Sequence, residues 1–70
     1  MKKDFFQNTD WDLLREQKDE LTNLLLTEHL LSPKQYEALA GVINLLDYMQ
    51  DYAVDVIGLD EQLVFNFKQQ

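Results

Sequence analysis

Ser32-Pro33-Lys34-Gln35 divides the chain into its two most readable segments. A serine at a helix N-cap accepts a hydrogen bond from the backbone amide three residues on, and a proline in the first helical position has no amide to leave unsatisfied. A glutamine three residues past the cap reaches back to the cap's own amide. All three devices fit a helix that starts at Pro33. The residues before it then belong to a separate element. Only Leu31 and Ser32 remain as a link, and so short a connection sets two helices antiparallel as a helical hairpin.

Downstream, helix two is expected over about residues 33–57, ending at Gly58, because glycine takes up the left-handed conformation past a helix end without a Cβ clash. Leu39, Val42, Ile43, Leu46, Met49, Ala53 and Ile57 recur at spacings of three and four, which places them on one stripe facing helix one. Upstream, helix one is expected over about residues 10–31. Thr9 stands ready as its cap, and Asp10 and Asp12 sit in the first turn, where the helix dipole favours acids. Leu14, Leu21, Leu24, Leu25 and Leu31 share one side with Trp11 at its edge, a position that marks Trp11 as a core residue. Arg15, Glu16, Asp19, Glu20 and Asn23 are expected to face away, and Leu26 and Leu30 fall on that polar side.

The tail, residues 59–70, supports two readings. Leu63, Phe65 and Phe67 alternate like a strand, while Asp60-Glu61-Gln62-Leu63 opens equally well as a helix. Either way the segment is too apolar for a free end and is expected to dock, as are Phe5 and Phe6 at the other terminus. The fold class expected is all-α: one domain over residues 1–70, a hairpin with a docked C-terminal segment, pairing into a four-helix dimer.

Composition bounds the function. Seventy residues bury only roughly 60% of the surface of the unfolded chain, so stability depends on good packing or a partner. With no cysteine there is neither a disulfide nor a thiolate metal site, which fits a cytoplasmic location. Thirteen acids against six Lys and Arg give a net charge of −7, which repels phosphate backbones and anionic lipid and argues against direct nucleic-acid or membrane binding. Met1-Lys2-Lys3-Asp4-Phe5-Phe6-Gln7 does not read as a targeting segment, and the longest apolar run, Leu24-Leu25-Leu26, is far short of the roughly 20 residues of a membrane span.

The feature that points to function is a second apolar stripe on helix two: Ala38, Gly41, Leu45, Tyr48, Tyr52 and Val56. With the first stripe it covers more of the circumference than the band of about 100° that an ordinary surface helix buries, so one partner helix is not enough. Gly41 costs about 1 kcal/mol relative to alanine inside a helix and suits a close backbone approach. Tyrosines offer apolar area with a polar tip, which suits an interface edge. These six residues are therefore expected to form an interface with a second copy of the chain. The competing expectation is that Phe5, Phe6 and the tail cover the stripe within one chain.

Other candidates carry less. Asp47, Asp51 and Asp55 stack four residues apart, and Glu37 and Asn44 lie near the same side. A hard-cation site needs ligands converging from more than one element, so a solvated face is the expectation. His29 sits near the end of helix one, where its charge suits the dipole, with no second histidine to complete a metal site. No nucleophile, phosphate loop or zinc spacing is present. The sequence thus points to a non-catalytic protein-interaction module that self-associates and takes no cofactor or metal. An acidic inhibitor seated in the nucleic-acid-binding groove of another protein is the alternative, and a metal-dependent enzyme built on the Asp47 ladder ranks last.

Overall fold

The computed structural model describes residues 2–67. It is all-α: helix α1 spans Lys2–Gln7, α2 Trp11–Thr27, α3 Pro33–Tyr52 and α4 Glu61–Phe65. A π-helical turn over Ala53–Ile57 extends α3. No strand occurs among the described residues, and none of the helices there is long and apolar enough to cross a membrane. Met1 and residues 68–70, the end of the tail, lie outside the described part.

The start of α3 follows from its local sequence. The Ser32 hydroxyl accepts from the Gln35 amide at 3.2 Å, and the Gln35 side chain accepts from the Ser32 amide at 2.9 Å, with Pro33 in the first turn. Ser32→Ala is expected to lower stability by about 1 kcal/mol, read as a shift of the urea midpoint. An unchanged midpoint would mean that other contacts hold this helix start. At the far end Gly58 adopts φ 88°, the left-handed stop expected of it. Before that stop the helix widens: the Gly58 and Leu59 amides both donate to the Ala53 carbonyl.

Helix one differs from expectation at both ends. Its cap is Asp10, whose carboxylate accepts from the Leu13 amide at 3.0 Å, while the Thr9 hydroxyl donates back to the Phe5 carbonyl at 2.8 Å. Thr9 is thus engaged by α1, a helix the sequence did not announce. The helix stops at Thr27 rather than Leu30 or Leu31. Glu28 is extended, and its side chain accepts from the Leu30 amide, a local turn that competes with continued helix. His29 therefore lies in the link and not in a last helical turn, and Leu30 is 89% exposed.

The tail is helical. Asp60 caps α4 by accepting from the Gln62 amide, and Asn66 closes it at φ 50°, so the strand-like alternation of Leu63, Phe65 and Phe67 is incidental. The docking is selective: Val64 is fully buried and Phe65 half-buried, whereas Leu63 and Phe67 are exposed.

Trp11, Ala53 and Val64 form the buried apolar cluster, with Phe6, Leu14, Met49, Val54, Leu59 and Phe65 packed around it. Each of the four helices and the π turn supplies at least one of these nine residues. Trp11 is buried as expected, its ring stacked on Phe6 and its indole N–H donating to the Phe6 carbonyl at 3.0 Å. Where α2 and α3 face each other their stripes are half-buried, with Leu24 of α2 and Val42 of α3 exposed against expectation.

Polar side chains do much of the joining. Gln50, fully buried, accepts from the Lys18 ammonium at 2.8 Å and donates to the Val64 carbonyl at 3.2 Å, so it ties α2, α3 and α4 together. Lys18 also pairs with Asp47. Arg15 does not face away as expected. It is half-buried, pairs with Asp12, and donates to the Leu63 and Val64 carbonyls at 2.7 and 3.0 Å, capping the C-terminal end of α4.

Candidate functional site

The face of α3 turned away from α2 carries the second apolar stripe. A rotation of about 100° per residue sets Gly41, Leu45, Tyr48 and Tyr52 on one side of the helix and the buried Gln50 on nearly the opposite side. The structure leaves most of that stripe open. Leu45 is 63% exposed, Tyr48 64% and Val56 63%, with Ala38 and Gly41 also exposed. Nothing lies within 4 Å of where a Cβ on Gly41 would stand, so a partner's side chain or backbone has room to approach there.

Tyr52 is the partial exception. Phe6 reaches it from α1 with ring centroids 5.5 Å apart, and Tyr52 is half-buried as a result, in turn 6.2 Å from Tyr48. Among the described residues, this aromatic contact is what the chain's ends bring to the stripe. Phe5 is exposed, and α4 docks on the Trp11 and Ala53 cluster instead. Among the described residues, α1 and α4 pack at the core end of α3 and leave Leu45 and Tyr48 exposed.

The edge of the stripe next to Tyr48 is acidic. Glu37, Asn44 and Asp51 follow each other at seven-residue intervals and are all exposed. Asp55 is exposed as well, but the expected ladder is interrupted: Asp47 is half-buried and turned to Lys18. Among the described residues, no group of three or more His, Cys, Asp or Glu side chains is arranged to hold a metal ion.

Two functional-looking elements escaped the sequence reading. Gln50 sits within an apolar-looking helix and gives no periodic signal of its burial. Arg15 looks like any cation on a mixed-sign surface, and only the position of α4 reveals its use. Comparison with known protein families, with curated proteins and with solved structures finds no significant match.

Proposed function

We propose that this chain is a non-catalytic protein–protein interaction module working through the uncovered stripe of α3, and that two copies pair there. In this reading α2 and α3 form an antiparallel hairpin, and two hairpins make a four-helix arrangement in the cytoplasm. The pairing of Lys18 with Asp47 and Gln50, together with the packing of Trp11 beside Ala53, supports the antiparallel sense, since positions rise along α2 as they fall along α3.

The observation that carries the proposal is surplus surface. The chain exposes 5503 Å², and it spans 39 × 33 × 17 Å, a slab about two helices thick. A folded monomer of its 8.3 kDa exposes about 4,600 Å². The difference, roughly 900 Å², is close to the roughly 800 Å² that each partner contributes to a standard interface. The radius of gyration, 13.8 Å, likewise exceeds the about 11 Å of a compact domain of this length. Three of the large exposed apolar residues, Leu45, Tyr48 and Val56, stand on the stripe and contribute to that surplus.

Multi-angle light scattering at micromolar concentration is expected to give the mass of two chains. Tyr48→Glu places a charge beside its symmetry mate and leaves Leu39, Leu46 and Ala53 untouched, so the variant should give the mass of one chain with unchanged helical circular dichroism. A wild type with the mass of one chain would overturn the pairing. The acidic-inhibitor alternative draws less support, because the pairing of Asp47 with Lys18 removes one rung of the ladder on which it rests.

A further inference from the structure

The stripe on α3 has the register of a coiled-coil seam. Ala38, Gly41, Leu45, Tyr48 and Tyr52 alternate spacings of three and four, which makes Ala38, Leu45 and Tyr52 the a positions and Gly41 and Tyr48 the d positions of two heptads. The seam runs about 21 Å and ends where the π turn begins and changes the register. Its two flanks differ. On the g side stand Glu37, Asn44 and Asp51, and on the e side Val42 and Met49, with no basic residue on either.

Flanking charges in such a seam decide partner and orientation. In an antiparallel pair of two identical α3 helices, the two-fold axis crosses the seam and keeps the same flank on the same side. Glu37 and Asp51 of one copy then meet the same acids of the other. In a parallel pair they meet Val42 and Met49, which offer no countercharge. A second copy therefore fills the seam without satisfying its edge, and the chain's net charge of −7 adds to the repulsion.

We propose that the seam's preferred occupant is an amphipathic helix of another protein with lysines or arginines along its flank, which displaces the second copy. The inference rests on the stripe being the interaction surface. Opposite Gly41 and Ala38 the occupant presents bulky apolar side chains, since the space above Gly41 is open. Opposite Leu45, Tyr48 and Tyr52 it presents smaller ones. The acidic edge supplies the attraction and excludes acidic competitors.

The probes are two fluorescent helical peptides of about 21 residues, three heptads, with leucine at a and d and either lysine or glutamate at e and g. Anisotropy with the full chain at low salt is expected to show the lysine peptide binding at least about tenfold tighter, with the preference shrinking as salt rises. In the variant Glu37→Lys with Asp51→Lys the preference should reverse. In the control Glu16→Lys with Glu20→Lys, exposed acids on α2, it should persist although the net charge has changed equally. Equal binding of both peptides, no binding of either, or a preference lost equally in the α2 control would overturn the proposal. If Tyr48→Glu abolishes self-association while the lysine peptide shows no preference, the interaction surface stands and this inference falls. If Tyr48→Glu changes neither self-association nor peptide binding, the surface itself has been misassigned.

Discussion

Trp11→Ala is expected to unfold most of the molecule, at a cost of about 3–5 kcal/mol. Trp11 is 2% exposed, in a cluster whose other buried apolar residues, among those described, are Ala53 and Val64. It lies at the first turn of α2, stacks on Phe6 with centroids 6.2 Å apart, and through Phe6 holds α1 against Tyr52. Truncation removes the largest buried side chain and the donor to the Phe6 carbonyl together. A domain of this size draws no more than about 3–5 kcal/mol from its core, so this one loss is comparable to the whole margin. Urea denaturation followed by circular dichroism should find no cooperative transition, whereas Leu30→Ala, at a position 89% exposed, should shift stability by under about 0.5 kcal/mol. A loss below about 1 kcal/mol for Trp11→Ala would mean that the cluster is not what holds the helices together.

The elements that the sequence announced are those written in short-range chemistry. The capping box at Ser32 and Gln35 and the stop at Gly58 depend on residues within a few positions of one another, and both stand where expected. The core face of α3 follows from the three-and-four spacing, and so does the open second stripe. What stayed hidden depends on tertiary placement. Helix α1 is too short to show a period, and its Thr9 looks like a cap for the next helix. The tail stayed open between strand and helix because its alternation over Leu63, Phe65 and Phe67 and its Asp60 cap are both carried by very few residues, and the structure makes it helical. Arg15 and Gln50 acquire their roles from α4, which lies 48 and 14 positions away, respectively, at their contacts with Leu63 and Val64. Their hydrogen bonds to its carbonyls leave no trace in local pattern.

The same dependence explains why the single chain keeps an apolar face open. Five elements converge on the Trp11 cluster at one end of the long helices, while at the other end Leu26, Leu30 and Tyr36 are exposed among the described residues. Packing is concentrated where α1, the π turn and α4 meet α2, and it thins along α3 toward Ser32. Leu45 and Tyr48 lie midway along the exposed outer face of α3.

Ending the chain at Asp60 tests the anchor directly and should abolish the cooperative unfolding transition. Removing α4 uncovers Trp11 and Ala53 and deletes Val64, a side chain whose burial contributes about 1.5–3 kcal/mol. The polar consequence is as large. Gln50 loses the acceptor for its amide and Arg15 loses both carbonyls, and each such hydrogen bond contributes about 0.5–1.5 kcal/mol net. The two contributions together match the roughly 3–5 kcal/mol that so small a core can supply. Val64→Ala in the full chain separates them. It trims the apolar side chain, keeps both carbonyl contacts, and should therefore destabilise the fold while preserving a cooperative transition at lower urea. If the shortened chain instead melts as sharply as the wild type, α4 is an appendage, and the hydrogen bonds of Arg15 and Gln50 to its carbonyls do not hold the helices in place.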